Sequence, residues 1–429
     1  MLKLPGDYRP RLVDEIVDNH LAAFGAVEIA GTMWSGKTWT SLNHGNSERN
    51  LDEPETRALA ELAPEAVLDA EPPLVVDEWQ LVPSVWDAVR RKVDAAAGKH
   101  GLFILTGSSR PAKDSTAHSG AGRISRIRMW PMSLQESGES DGSVSISALF
   151  DGAFSQGSRK TTPEQLAKCI CRGGWPAAID ADQKFSSLIP TQYIDAICSS
   201  RDSKAPENER ILNRFLQSLA RNMGSAPKIE TLVKDMGLLN DGQVSEAGRK
   251  RIRSLLNYFN DRFVIDETRG WDAPIKSPQR LRSKPHYNFA DPSIPASLLG
   301  VDEKSLFKNM QLFGQLFEQM CLRDLRIYTS VLDKAKPDSL QYYRDADGLE
   351  VDAIIELRDG RWAGIEIKLN PNKVEDAESN LLRLKKKVLA NPAAQNTEPS
   401  FLLVLTGVGQ YAYQLSSRVY VAPIAMLGA

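Results

Sequence analysis

Cysteine is scarce in this sequence: Cys169, Cys171, Cys198 and Cys321 are the only four in 429 residues. Cys169 and Cys171 stand one residue apart, too close for a zinc knuckle, so no paired ligand set is present. All four are read as reduced and mostly buried. Long apolar runs are also missing, and none reaches the roughly 18 to 20 residues that cross a bilayer. The opening "MLKLPGDYRPRLVDEIV" lacks the apolar centre of a secretory signal, so the expected location is cytoplasmic, with no membrane partner. Net charge is only −2. That excludes a wholly basic nucleic-acid protein and leaves room for a local basic segment. No internal repeat or long low-complexity tract occurs.

What is present is the composition of a globular chain, 42% hydrophobic and 25% charged. Its length exceeds one ordinary core, so several domains are expected. Residues 1–150 alternate helical patterns with the short buried strands "GAVEIAG", "PLVVDE" and "GLFILTG". This is the rhythm of a parallel sheet covered by helices. The polar "ESGESDGSVS" (136–145) reads as a loop ending that unit. Residues 151–206 read as a helical lid or linker around "CRGGWPAAI". Residues 207–300 carry three helical periods and a short strand, "RFVIDE". Residues 301–429 run helix, three strands, helix, two strands. The expected class is a multidomain α/β protein.

"GTMWSGKT" (31–38) fits G-x-x-x-x-G-K-[ST] and follows an apolar strand, the context a phosphate-binding loop needs. Loop and helix N–H groups cradle phosphate oxygens. The candidate nucleotide contacts are Gly31, Thr32, Met33, Trp34, Ser35, Gly36, Lys37, Thr38 and Trp39. Lys37 neutralises β/γ-phosphate charge and Thr38 reaches Mg²⁺. "PLVVDEWQ" ends a buried strand in Asp77 and Glu78, suited to holding Mg²⁺ and polarising the attacking water. Taken alone, a strand-end acidic pair is more often solvated; its order after the loop favours the site. "GLFILTGSS" ends another strand at Ser108, a candidate γ-phosphate sensor. Arg123, Arg126 and Arg128 follow, and Arg123 is the candidate arginine finger, which implies a homo-oligomer if supplied by a neighbouring subunit. For any one of them, a solvated basic loop is the competing reading.

Together "YRPR", "GTMWSGKTWT", "VVDEWQ", "FILTGSS", "GR" before "WPMSLQE" and "GGWPAAI" resemble the AAA-type ATPases with a C-terminal DUF4143 domain. The resemblance covers nearly the whole chain. It implies an ATP-binding sheet of order 5-1-4-3-2, a winged-helix middle and a nuclease-like end.

The third helical period of the middle segment carries Arg249, Lys250, Arg251 and Arg253, and "KSPQRLRSKPH" adds Lys276, Arg280, Arg282 and Lys284. This pattern suits DNA phosphate contact by a recognition helix. A solvated face or an inter-domain packing module reads equally well. Asp291, in "YNFADPSI", is expected to be structural.

The last domain contains "LEVDAIIELRDGRWAGIEIKL" (349–369). Both apolar sets, Val351, Ala353, Ile355, Leu357 and Ala363, Ile365, Ile367, Leu369, must face the core. A two-residue turn would put them on opposite faces. A three-residue loop, Arg358-Asp359-Gly360 with glycine left-handed, pairs Leu357 with Arg361 and Ala353 with Ile365. Asp352 then lies opposite Glu366, and Glu350 opposite Lys368. Two facing carboxylates invite a divalent cation, with Lys368 orienting or deprotonating a water and Glu318, on the preceding helix, as a further ligand. The set Glu318, Asp352, Glu366 and Lys368 resembles a PD-(D/E)xK nuclease core in a restriction-endonuclease-like αβββαβ fold. Two alternatives stay open: a salt-bridged face, or a degenerate nuclease fold retained for binding. "RLKKK" (383–387) is either a phosphate contact or a solvated face.

These readings anticipate an ATP-hydrolysing protein using Mg²⁺, with Mg²⁺ or Mn²⁺ at the C-terminal acids, that engages and cleaves DNA. The alternative is a non-cleaving nucleotide switch that binds a DNA or protein partner.

Overall fold

The computed structural model describes residues 6, 8–110, 118–199, 205–224, 227–274, 276–394 and 398–429. The chain forms two compact units, residues 1–132 with 259–264, and residues 133–258 with 265–429.

In the first unit, α1 (Asp14–Ala23) precedes β1 (Ala26–Gly31), α2 (Lys37–His44), β2 (Ser47–Asn50) and α3 (Pro54–Leu62). β3 (Leu74–Asp77), α4 (Ser84–Ala95), β4 (Phe103–Gly107) and β5 (Ile124–Met129) follow. The sheet order is β2-β3-β4-β1-β5 and every pairing is parallel, which is the expected 5-1-4-3-2. Alternation along the strands explains why both faces are covered. Leu74, Val76, Phe103 and Leu105 join Trp79, Val85 and Trp86 in one core. The intervening Val27, Ile29, Val75 and Ile104 join Val13 and Val17 in the other. The result brings the C-terminal ends of β1, β3 and β4 to one edge of the sheet, with the P-loop and Asp77 among them.

The division into units differs from the four expected domains. Residues 133–150 belong with the second unit. β6 (Val144–Ser145) pairs in parallel with β18 (Leu427–Gly428), and Ser140 donates to the Leu427 carbonyl at 2.6 Å. The stretch 151–206 is not wholly helical either. β7 (Gly157–Thr161) pairs with β16 (Gly409–Gln414) at the edge of a seven-stranded sheet. "GSRKT" is too polar to show a strand period, and its pairing comes from far along the chain.

That sheet also contains β12 (Leu340–Arg344), β13 (Glu350–Glu356), β14 (Trp362–Lys368), β15 (Phe401–Thr406) and β17 (Tyr420–Pro423). Its order is β12-β13-β14-β15-β17-β16-β7. The helix Met310–Ser330 precedes β12, and the helix Val374–Ala390 connects β14 to the parallel β15. That helix buries Ala377, Leu381, Leu384 and Val388 with Val351, Ile354, Leu402 and Val404.

The middle segment has helices Glu209–Arg221, Ile229–Asp235 and Glu246–Asp261. The short β8 (Leu239–Asn240) and β9 (Gln243–Val244) precede the third helix, and β10 (Ile265–Thr268) and β11 (His286–Phe289) form a separate two-stranded sheet. Asp291 is fully buried. It accepts from the Gly174 N–H at 2.9 Å and pairs with Arg323 at 2.8 Å, a structural role that meets the sequence expectation. Gly173 (φ 75°) admits this approach, since a Cβ there would collide with Asp291 and Ser293. All four cysteines are free and buried. Among the described residues, no helix is long and apolar enough to cross a membrane.

Candidate functional site

β1 delivers Gly31 beside β5. A side chain on Gly31 would run into the Met129 carbonyl, so only glycine allows this approach. The loop then turns through Trp34 (φ 63°) and Gly36 (φ 98°). Gly36 caps α2 without a side chain, which leaves the first N–H groups of the helix for an anion. Trp34 is exposed, Met33, Thr38 and Trp39 are half-buried, and Thr32, Ser35 and Lys37 are buried. Among the described residues, the buried Ser35 hydroxyl has no hydrogen-bond partner. Lys37 donates to the Thr32 carbonyl at 3.0 Å. Burial pulls its ammonium down to about 8; Glu78 and Asp77 act against that shift and the charge of Arg128 adds to it. A buried cation short of counter-charge is matched to a polyanion.

Thr38 Oγ1 lies 3.2 and 3.1 Å from the two Asp77 oxygens. Thr106 Oγ1 donates to Asp77 Oδ1 and accepts the Glu78 N–H at 3.2 Å. Glu78 adopts the left-handed region (φ 53°). Its Oε2 accepts from Ser108 Oγ at 3.0 Å and from the Gln80 amide. The structure therefore brings Lys37, Thr38, Asp77, Glu78 and Ser108 together. The free hydroxyl, the facing carboxylate and the uncapped helix fit a Mg²⁺–nucleotide.

The three arginines separate. Arg123 donates to Asp94 at 2.8 Å, and no described contact joins it to the P-loop. Arg126 pairs with the buried Glu28 at 2.9 Å and lies over Trp86. Arg128 alone of the three acts on Lys37 electrostatically. Sequence reasoning used Arg11 only as part of a resemblance. It is buried, and donates to the Ser35 carbonyl at 2.8 Å and the Trp130 carbonyl at 2.9 Å. The signal was its place in "YRPR", a charged residue just before an amphipathic helix.

The hairpin β13–β14 follows the expected register. Ala353 pairs with Ile365, Leu357 N–H donates to the Arg361 carbonyl at 2.9 Å, and Gly360 has φ 85°. Beyond Ala353 the ladder stops, and the Ile367 N–H donates to Asp352 Oδ2 at 2.7 Å. Lys368 Nζ sits between Asp352 Oδ2 at 3.1 Å and Glu366 Oε2 at 2.5 Å. The other Glu366 oxygen accepts from Asn380 at 3.2 Å. Glu350, expected opposite Lys368, pairs instead with Arg344 at 3.9 Å. Glu318 lines a cleft with His286, Asn288, Tyr342, Glu350 and Asp352. Burial, and then the charge of Asp352, pushes its carboxyl up to about 8. Among the described residues no three His, Cys, Asp or Glu side chains gather as a metal ligand set. Lys368 bridges Asp352 and Glu366 directly, the arrangement of the ion-pair alternative.

Residues 24–138 match the AAA domain, and residues 313–427 match DUF4143, a domain of unknown function. The chain thus carries an AAA domain and, after it, a DUF4143 domain. Residues 163–305 match a second domain of unknown function, DUF8612. No curated protein matches the chain. Among solved structures it is similar to the Walker-type ATPase PABY2304 of Pyrococcus abyssi, with 11% identity and a TM-score of 0.42 over 68% of this chain and 99% of that one. A DNA replication initiation factor is similar at 11% identity and a TM-score of 0.23, over 59% and 92%. The AAA domain makes this chain a nucleotide-binding ATPase at the level of its family.

The AAA match begins after Arg11, so this P-loop contact lies upstream of it. In the DUF8612 segment the expected DNA-contacting face is largely neutralised. Arg249 pairs with Glu230 at 3.0 Å, Arg251 with Glu207, and Arg253 with Glu246 at 3.0 Å. Lys250 is exposed. Arg280, counted in the downstream basic run, forms a two-pronged pair with Glu356 at 2.8 and 2.7 Å. In the DUF4143 domain Lys385 pairs with Glu398 and Lys387 with Asp345 and Asp347. Carboxylates distant in sequence were invisible to a local charge count.

Proposed function

We propose that this chain is a nucleotide switch: its AAA domain binds and hydrolyses MgATP, and its second unit binds a DNA or protein partner without cleaving it. The observation that carries the reading is the hydrogen-bonded series Thr38, Asp77, Thr106, Glu78, Ser108 beside the P-loop. Lys37 and the α2 N-terminus hold the β- and γ-phosphates. Thr38 and Asp77 would hold Mg²⁺, which when bound neutralises phosphate charge. Glu78 orients the attacking water and takes its proton. Ser108 and Gln80 fix the Glu78 carboxylate, so its direction depends on what the γ-phosphate does to Ser108. The non-cleaving half rests on Lys368, which occupies both acids that a cleaving site needs for metal.

Phosphate release by the full chain tests this. Lys37→Ala is expected to abolish ATP binding. Glu78→Gln is expected to bind ATP while kcat falls by about 100-fold or more. Supercoiled and linear DNA, incubated with Mg²⁺ or Mn²⁺ and ATP, should stay intact. Cleavage that Asp352→Ala removes would replace the switch with a nuclease. Equal ATPase rates in wild type and Lys37→Ala would end the nucleotide reading.

A further inference from the structure

The helix that begins at the P-loop, α2, ends on His44. Both ring nitrogens of His44 face carboxylates of α1. Nδ1 lies 2.7 Å from Asp18 Oδ1, and Nε2 lies 3.3 Å from Asp14 Oδ1. The His44 side chain is only 7% exposed. A neutral imidazole carries one N–H, so its other nitrogen would turn a lone pair on a carboxylate. Only the imidazolium donates to both. Asp14 and Asp18 stand four residues apart on one face of α1, where like charges repel unless a cation joins them. A cation in the last turn of α2 also meets the negative end of the helix dipole.

Asp14 and Asp18 are the charged groups that act on His44. Burial disfavours the charged ring, but the Asp14 hydrogen bond and the Asp18 charge outweigh it, and His44 holds its proton above the ordinary histidine value. The strands beneath α2 pack against it with Val75 and Ile104, and Asp77 meets α2 at Thr38, its other end. His20, the other histidine of this region, turns to Ser125 instead.

Asp14 carries the clasp towards the phosphate loop by two routes. Its Oδ1 accepts from the Tyr8 hydroxyl at 2.6 Å, which also meets Thr40 of α2 at 3.1 Å. Its Oδ2 accepts the Arg11 N–H at 2.8 Å, and the Arg11 guanidinium donates to the Ser35 carbonyl. One carboxylate thus joins the end of α2, its middle and the P-loop itself. Tyr8, Arg11, Asp14 and Asp18 all precede the residues that match the AAA domain.

We infer that His44 and Asp14 are positioning residues for nucleotide binding: their charged clasp holds α2 and the P-loop in register, so ATP affinity falls as the proton on His44 is lost. This rests on the ATP-binding reading above. The sign follows from the proton. The clasp is complete below about pH 6.5, the ordinary value of a free histidine, and is lost as pH rises through the higher folded value.

The test is ATP affinity from pH 6 to 9, read by displacement of a fluorescent nucleotide from the full chain. His44→Gln is neutral throughout and should bind ATP about fivefold more weakly than wild type at pH 6, a usual size for coupling between sites. By pH 9 the two should agree within about twofold. Titration of ATP and of Lys37 is common to both proteins and cancels in this comparison. His44→Arg keeps its charge and should hold the tighter binding to pH 9. A merely structural His44 would lower affinity by one factor at every pH. Parallel profiles for wild type and His44→Gln therefore overturn the inference and leave the ATPase reading intact. Wild type that binds no ATP at any pH overturns both. Should His44→Gln fail to fold, His44→Arg decides: binding tighter than wild type at pH 9 supports the clasp, and a profile equal to wild type ends it.

Discussion

The backbone N–H of Ile367 donates to the side chain of Asp352, 2.7 Å from Oδ2, where a strand partner would otherwise stand. The same oxygen receives Lys368. Asp352 therefore ends the β13–β14 ladder and anchors the ion pair. Asp352→Ala leaves a buried donor and Lys368 without their acceptor, and is expected to lower stability by about 1–3 kcal/mol. Asp352→Asn, which keeps the acceptor, should cost less. Urea denaturation followed at the second unit checks the order; equal midpoints for Ala and wild type would remove the anchoring role.

Glu318 gives the DUF4143 domain a pH dependence of defined sign. Its folded carboxyl is raised to about 8, by burial first, against about 4.3 in an unfolded chain. Between those values the folded state holds the extra proton, so stability is greatest at acid pH and falls as pH rises towards 8. Glu366, also raised by burial and then by Asp352, adds in the same direction. Thermal melts from pH 5 to 8 should show the decline, and Glu318→Gln should flatten it. A slope unaffected by Glu318→Gln assigns the proton elsewhere.

Ser108 acts on Glu78 through one hydrogen bond of 3.0 Å. Ser108→Ala should lower kcat by about tenfold, the value of losing one contact to a charged group, with the KM for ATP unchanged. A rise in KM at constant kcat would place Ser108 on the ground-state nucleotide instead.

Arg11 holds two carbonyls, the buried one of Ser35 in the P-loop and the part-buried one of Trp130 after β5. Arg11→Ala leaves both unsatisfied and frees the loop. ATP and ADP affinities should fall together, by about tenfold or more. Isothermal titration with each nucleotide checks this; unchanged affinities for both would remove the loop-holding role.

Arg280 tests the neutralised basic run. Glu356 is pulled down to about 2 by Arg280 first, then Lys336, against its burial. Arg280→Met should destabilise the chain by about 3 kcal/mol, because it breaks a buried pair, and leave DNA binding unaltered in a filter assay. Glu356 contributes this stability above its unfolded range, and it is lost as pH falls from about 4 towards 2. Loss of DNA binding at unchanged stability would return Arg280 to the interface.

Much of the molecule was legible in the sequence because its signals are local. "AVEIAG", "PLVV" and "FILTG" are apolar runs that fit only strands covered on both faces. The glycines of "GTMWSGKT" are required where backbone turns left-handed or approaches Met129. The odd-length loop at Arg358-Asp359-Gly360 followed from parity alone, since one register buries both apolar sets and the other does not. The separation of Arg123, Arg126 and Arg128 was not legible, because all three read as one basic stretch. Nor was the second unit's claim on residues 133–150, a polar segment whose partner strand ends the chain.

The sequence by itself determined the parallel nucleotide-binding sheet, its P-loop and Asp77–Glu78 pair, and the register of the last hairpin, since spacing and periodicity are properties of neighbouring residues. Only the tertiary structure decided that Lys368 joins Asp352 to Glu366, that glutamates distant in sequence neutralise Arg249, Arg251 and Arg280, and that the Phe263 carbonyl accepts from Thr32 of the P-loop over more than two hundred residues. The physical reason is common to these cases. A charge or a carbonyl satisfies whichever partner folding brings within about 3 Å, and that distance has no image in the order of the chain.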